Sequence, residues 1–191
     1  YLCRRLMERY AGDALRQAVD LTPQLAEVSI RYPDLLFNDA MKIRVGGKTI
    51  ELAYSPGHCR DGITVHVHED KLLIASDTVM PVPYIVGGDL DDLITSLTAI
   101  KEKNLENLVQ GHGEILLRGE VDETLDANIH YLKTIDLQVR ERIARGVPRN
   151  GILDITIEEC GLSRIPLGGL VQRLHQANLL TLYDGYRAEM K

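Results

Sequence analysis

The stretch that decides the fold runs from Ser55 to Asp77 and reads Ser-Pro-Gly-His-Cys-Arg-Asp-Gly-Ile-Thr-Val-His-Val-His-Glu-Asp-Lys-Leu-Leu-Ile-Ala-Ser-Asp. An apolar segment ends in the Pro-Gly turn just before His58, and a second apolar segment ends at Asp77. A third, Leu108-Val109, ends at His112 within Gln-Gly-His-Gly. Because glycine-rich turns at strand ends hold side chains rigidly, this pattern indicates a metal site built on a β-sheet.

Alternating apolar residues around this stretch predict two consecutive antiparallel hairpins. Residues 41–45 and 49–54 alternate on either side of Gly46-Gly47, which is typical of a two-residue hairpin turn. Residues 63–68 alternate as well, and Glu69-Asp70 predicts a turn into a returning strand over residues 71–76. A short strand is also expected over residues 28–32.

Helical periodicity predicts three helices outside the hairpins. Residues 1–19 carry an approximate apolar stripe, Asp89 is placed to cap a helix that reaches Ile100, and residues 120–146 keep the apolar period throughout. The segment over residues 81–88 carries two prolines and two glycines, which favours a loop that forms a wall over the site.

Residues 147–191 form a separate small unit in this interpretation. We expect a short helix from Thr156 to Gly161, a second helix over residues 167–177, and a strand over residues 179–185. This order is similar to a winged helix. Its charges nearly balance, which favours packing against the main domain or a second subunit over binding to DNA.

Composition excludes several classes of protein. The 191 residues are 45% apolar and 26% charged, which is ordinary for a globular domain. A net charge of −6 argues against binding to nucleic acid, and no apolar run reaches the roughly 18 residues of a membrane span. Three cysteines without paired spacing favour a reducing, cytoplasmic location. We therefore expect a small-molecule substrate.

Three motifs in this order, Pro56-Gly-His58, Ser76-Asp77 and Gly111-His112-Gly113, resemble the second half of the metallo-beta-lactamase superfamily. The resemblance covers residues 37–135. It implies an α/β fold, the layered αββα sandwich, which here lacks its N-terminal part and occupies residues 1–146. The winged-helix-like appendage at residues 147–191 would follow it.

The resemblance also implies a binuclear metal site, commonly zinc, with iron or manganese as alternatives. His58 would bind the first ion, Asp77 would bridge both ions as a catalytic residue, and His112 would bind the second. Metal-bound hydroxide would then hydrolyse an ester, thioester, lactone or amide, as in the glyoxalase II-like and general hydrolase branches.

The upstream His-x-His-x-Asp-His motif of that family is not present before Pro56 in this sequence. Each ion would have only two protein ligands, fewer than a tight zinc site uses. Either a homodimer or a missing N-terminal segment would complete the site, or the ligands are vestigial in a non-catalytic half-domain that serves for dimerisation. An iron-bearing redox member of the superfamily is a third alternative.

Other candidate residues lie near these motifs. His66-Val-His68-Glu-Asp70 matches part of the missing motif, but it follows the Pro-Gly-His turn, so we interpret both histidines as solvated residues on the polar face of a strand. Cys59 is interpreted as a packing residue rather than a ligand or nucleophile. Tyr84, in the loop after Asp77, is a candidate substrate-binding residue.

Overall fold

The computed structural model describes residues 4–31 and 33–190 and divides the chain into two compact units, Tyr1–Asp39 and Ala40–Lys191. The first unit contains α1 (Arg4–Leu21) and a 3-10 turn at Pro23–Glu27. The predicted first helix is confirmed where it is described, and its first three residues lie outside the described part. The strand expected at residues 28–32 is wrong, since residues 28–31 are irregular and Tyr32 lies outside the described residues.

The second unit holds the sheet and the remaining helices. Its strands are β1 (Ala40–Val45), β2 (Lys48–Tyr54), β3 (Ile63–Val67), β4 (Leu72–Ser76), β5 (Asn107–Gln110) and β6 (Leu116–Leu117). Its helices are α2 (Leu90–Lys101), α3 (Arg118–Ala144) and α4 (Leu170–Glu189), with 3-10 turns at His68–Asp70, Arg149–Asp154 and Pro166–Gly169. Across the described residues, the helices fall short of the length and apolarity that a membrane span needs.

The six strands form one sheet in chain order. The two predicted hairpins are confirmed: β1 pairs with β2, and β3 pairs with both β2 and β4, all antiparallel. Strand β5 then pairs with β4 in parallel, after a crossover through α2. The parallel pair is stable here because helices cover its inner face.

The core lies between this inner face and the helices. Leu73 of β4 and Leu108 of β5 are fully buried, and they belong to one apolar cluster with Leu97 of α2 and Leu125 and Leu132 of α3. As predicted, Asp89 caps the start of α2: its Oδ1 accepts a hydrogen bond from the Asp92 N–H at 3.0 Å. The outer face of the sheet keeps exposed apolar residues such as Ile43 and Ile74.

The strand predicted at residues 179–185 is wrong, because these residues belong to α4. Val171, His175, Asn178, Leu179 and Leu182 are buried at helical spacing, so their burial on one helix face outweighs the strand propensity of the run. The short helix expected at residues 156–161 is also wrong: it is a turn, in which Thr156 and Glu159 exchange capping hydrogen bonds without a helix following. The boundary between residues 146 and 147 falls inside the second compact unit, and as a domain boundary it stays a prediction.

A buried polar network joins α4 to the loop after Asp77. The Asn178 amide donates to the Pro83 carbonyl at 2.7 Å, and its oxygen accepts from the Ile85 N–H at 3.0 Å. The same amide donates to the Tyr131 hydroxyl, which contacts His175 Nδ1 at 3.0 Å. Since His175 Nε2 donates to the Ile155 carbonyl, its Nδ1 is free to accept. The loop is therefore fixed by the C-terminal helix.

We expect Asn178→Ala to destabilise the protein by about 2–3 kcal/mol, because it leaves the buried Ile85 N–H and Pro83 carbonyl without partners. Asn150→Ala is the matched control, since Asn150 is exposed and surface changes usually stay within about 0.5 kcal/mol. Urea unfolding of both variants measures the difference. Equal unfolding free energies would contradict the role assigned to Asn178.

Candidate metal centre

The direction of the strands places three chain segments at one edge of the sheet. Strands β2, β4 and β5 all run the same way, because β3 is antiparallel to β2 and to β4, and β4 is parallel to β5. Their carboxyl ends therefore lie at the same edge of the sheet, with β3 between β2 and β4. His58 follows β2, Asp77 follows β4 and His112 follows β5, so the topology itself gathers these residues.

A backbone irregularity delivers Asp77 to this edge. The pairing of β4 with β5 shifts register between Ile74 and Ser76, and Ser76 has a left-handed φ of 49°. Such a bulge bends the strand and redirects the following side chain. The next residue is then fixed, since the buried Thr78 hydroxyl donates to Ser55 Oγ at 3.2 Å. This bond ties the turn after β4 to the end of β2.

The Pro-Gly-His turn is locked against α2. Gly57 has φ of 124°, and a Cβ at this position would come within 2.2 Å of the Leu93 Cα, so only glycine fits. The Pro56 carbonyl accepts from the Ser96 hydroxyl at 2.7 Å, and the Gly57 carbonyl accepts from the Asp89 N–H at 2.8 Å. The turn therefore holds His58 on a rigid base.

The tautomer of His58 follows from its hydrogen bond. His58 Nδ1 lies 3.0 Å from the Tyr84 carbonyl oxygen. Because a carbonyl only accepts, Nδ1 carries a proton, so the nitrogen with which His58 can bind an ion is Nε2. A ligating histidine is usually oriented by such a bond through its other nitrogen.

Asp77 lies between the two imidazoles. Its Oδ2 is 3.6 Å from His58 Nε2, and its Oδ1 is 3.6 Å from His112 Nε2. Two donors that share one zinc ion at about 2.0–2.1 Å each are roughly 3.3 Å apart in a tetrahedral site and at most about 4.2 Å apart. The separation in each pair is short enough for one ion to bind both of its donors. The two pairs use different carboxylate oxygens, and each oxygen faces a different histidine. The arrangement fits a carboxylate that bridges two ions.

Glycine is required beside this carboxylate. A Cβ at Gly111 would lie 1.9 Å from Asp77 Oδ1 and 2.9 Å from the Asp77 backbone nitrogen. The Gly111 N–H also donates to the Val79 carbonyl at 3.1 Å, which holds the two loops together. The Gly-His-Gly motif thus allows the loop after β5 to approach Asp77.

The structure brings together the residues that the motifs singled out. Tyr84 is half-buried beside His58, with ring centroids 5.9 Å apart. Cys59 is a free thiol whose pKa is raised by burial and by Asp61, so it is not a poised thiolate nucleophile. Ligand and substrate roles for these residues stay predictions.

The interpretation of His66 as a solvated residue is wrong. His66 is only 7% exposed, because the Thr64–His66 face of β3 points to the core side of the sheet, where His66 lies opposite Leu73. With Glu51 and His68 it forms a cluster in which one ligand atom from each residue lies within 4.8 Å of the others. Strand alternation places both histidines on one face but does not indicate which face is buried, so this cluster was missed.

The chain is an α/β protein whose sheet carries a cluster of side chains of metal-ligand type at one edge. The chain belongs to the metallo-beta-lactamase superfamily, whose family model matches residues 3–119. Curated relatives include a beta-lactamase-like protein 2 homolog of Caenorhabditis elegans, 31% identical over 49% of this chain and 31% of that protein. The lactamase-like protein adaB of Aspergillus niger is 31% identical over 56% of this chain and 36% of its own length.

Solved structures show the same fold. A stereoselective inverting sec-alkylsulfatase from Pseudomonas sp. matches with a TM-score of 0.61 at 15% identity, over 81% of this chain and 27% of that chain. A metallo-beta-lactamase family protein from Thermus thermophilus matches with a TM-score of 0.57 at 19% identity, over 97% of this chain and 62% of that chain. The chain spans about a third of the length of the curated relatives.

We expect Gly111→Ala to destabilise the protein by about 1–3 kcal/mol and to separate Asp77 from His112, because the added methyl group meets both the carboxylate and its backbone. Gly119→Ala is the matched control, since a Cβ there meets nothing within 4 Å. Urea unfolding and a crystal structure of each variant measure the two effects. An unchanged Asp77–His112 distance in Gly111→Ala would refute the requirement.

Proposed function

We propose that this chain supplies His58, Asp77 and His112 to a two-metal centre, with zinc as the expected ion, in a metal-dependent hydrolase. The observation that carries the proposal is the placement of Asp77, whose two oxygens each face a different imidazole Nε2 at 3.6 Å. The substrate class is an ester, thioester, lactone or amide. Membership of the superfamily supports a hydrolase of general type, and the particular reaction is part of this proposal.

The electrostatics of the three side chains favour cations between them. The His58 Nε2 lone pair faces a carboxylate oxygen, and 3.6 Å is longer than a hydrogen bond between these groups. Two facing lone pairs attract each other only through an intervening proton or metal ion. The carboxylate also offsets the charge of two cations, which two neutral imidazoles alone do not.

When bound, the metal pair supplies a water of lowered pKa and polarises the substrate oxygen. The residues of this chain hold the metal-binding side chains in position. The Tyr84 carbonyl holds the proton on His58 Nδ1, and Asn178 fixes the loop that carries Tyr84. Asp77 keeps both oxygens available to the ions, and its side chain is 37% exposed, so substrate can reach it.

Each ion receives two donors from this set, and a zinc site commonly uses three or four protein ligands. We propose that the remaining donors come from outside residues 40–119, through a further segment of the natural polypeptide or through a second chain. The centre would then lie between two halves, with this chain providing the half that bridges the ions.

We expect the natural polypeptide that contains these residues to purify with close to two zinc ions per chain, and Asp77→Asn to lower both the metal content and the rate of ester or lactone hydrolysis by more than about a hundredfold. Loss of a ligand weakens a site more than the ten- to hundredfold seen for residues that only support ligands. Asp122→Asn, an exposed change on α3, is the control. Mass spectrometry and a hydrolysis assay measure both effects.

The metal content separates the proposal from its alternatives. Iron in place of zinc, with no hydrolysis, would favour a redox member of the superfamily. Absence of bound metal in the purified polypeptide, together with equal behaviour of Asp77→Asn and the control, would favour a non-catalytic dimerisation module.

The Tyr84 hydroxyl is the proposed substrate contact, and its role can be separated from that of its carbonyl. Tyr84→Phe keeps the carbonyl that orients His58, so we expect unchanged zinc content and a KM raised by roughly three- to tenfold, since one lost neutral hydrogen bond contributes about 0.5–1.5 kcal/mol. Tyr183→Phe, remote in sequence on α4, is the matched control. An unchanged KM for Tyr84→Phe would remove the hydroxyl from substrate binding.

A further inference from the structure

Glu51, His66 and His68 form a cluster of ligand-type residues separate from the edge that carries Asp77. Glu51 of β2 lies directly opposite His66 of β3, and His68 begins the 3-10 turn that follows β3. Strand β3 begins at Ile63, close to the His58 turn, and ends at Val67, so His68 lies toward the opposite edge of the sheet. The two clusters thus use different ends of the strands.

The geometry of the cluster is compact. The His66 and His68 ring centroids are 4.3 Å apart, and His68 Nε2 is 3.2 Å from Glu51 Oε2. One ligand atom from each of the three residues lies within 4.8 Å of the others. Small side-chain adjustments bring such atoms to the separations of about 3.3 Å that donors around one zinc ion adopt.

The burial of His66 is evidence for a ligand at this cluster that does not depend on the distances between the three residues. His66 is 7% exposed, and both of its ring nitrogens are buried without a hydrogen-bond partner among the described residues. A buried polar group in this condition needs a partner, which is often a water or an ion. Burial lowers the pKa of His66, so the ring is neutral near pH 7 and offers a lone pair.

We propose that Glu51, His66 and His68 form a cation site that binds a divalent transition metal such as Zn²⁺. Two imidazoles and one carboxylate are the donors that zinc uses, whereas calcium and magnesium prefer oxygen donors alone. If His68 Nε2 were a ligand, the ion would take the place of the His68–Glu51 hydrogen bond, and the proton of the neutral ring would be carried by Nδ1. The ion would also be a partner for His66, whose ring nitrogens have none among the described residues.

Two lysines compete with the ion. Lys42 Nζ lies 3.0 Å from Glu51 Oε2 and Lys103 Nζ lies 3.3 Å from Glu51 Oε1. Led by the Lys42 contact, these groups lower the pKa of Glu51 to about 2, so the carboxylate is charged and available. Since the Lys42 side chain is 61% exposed, it can turn into solvent when an ion binds. The lysines therefore weaken the site without blocking it.

The test is a Zn²⁺ titration by calorimetry in the His58→Ala/His112→Ala background, which removes the centre proposed for hydrolysis. We expect one equivalent of Zn²⁺ to bind, and this binding to be lost in His66→Gln and in His68→Gln. His130→Gln, an exposed histidine on α3, is the matched control and should bind as the background does. Amide NMR spectra verify that each variant is folded. If the buried substitution His66→Gln unfolds the protein, the His68→Gln variant provides the test, because His68 is partly exposed.

Substitution of a lysine should have the opposite effect on Zn²⁺ affinity from substitution of a histidine. Lys42→Gln removes one positive charge beside Glu51, so we expect Zn²⁺ to bind roughly three- to tenfold more tightly, while Lys133→Gln on the exposed side of α3 changes nothing. Failure of the background to bind Zn²⁺, or equal binding by His68→Gln and His130→Gln, would show that the cluster is only an ion-pair network. Because the hydrolase centre is absent from this background, either result leaves the proposed function untouched.

Discussion

The parallel pairing of β4 with β5 is the constraint on which the candidate centre depends. Two parallel strands end at the same edge of a sheet, so the residues that follow them meet there, although the chain between them crosses over through α2. Leu73 lies beside Leu108 in this pair, and both are fully buried under α2 and α3. The apolar contacts that hold the helices on the sheet therefore also fix the distance between Asp77 and His112.

Much of this arrangement could be predicted from local sequence, because the deciding signals are local. Gly46-Gly47 specifies a hairpin turn by its backbone freedom, and Asp89 specifies a helix start by its side-chain oxygen. Gly57 and Gly111 each stand beside a candidate ligand, and both are positions where a Cβ would collide with neighbouring atoms. These features need no knowledge of the rest of the chain.

Two of the errors, the face assigned to β3 and the strand predicted at residues 179–185, share one physical cause, which is that burial is decided by distant neighbours. Along β3 the apolar residues Ile63, Val65 and Val67 predict the core face, yet Ile63 is 38% exposed and Thr64 on the other face is 2% exposed. The inner face is set by the helices that cover the sheet, and no property of the strand itself encodes them. The strand prediction at residues 179–185 is wrong for the same reason, since α4 packs against α3 and against the 3-10 turn at Arg149–Asp154, which are distant in sequence.

The two histidines at the sheet edge differ in how firmly they are held, and this difference follows from their settings. His58 has a protonated Nδ1 bound to the Tyr84 carbonyl, and its turn is bonded to α2. Within the described residues, the His112 ring has Asp77 as its near polar neighbour, its side chain is 57% exposed, and it lies between two glycines. Because ordering a free side chain costs conformational entropy, a cation between His58 and Asp77 would meet a prepared pair of donors, whereas one between Asp77 and His112 would first have to order the imidazole. The single carboxylate of Asp77 thus lies between a firmly held histidine and an adaptable one in the candidate centre.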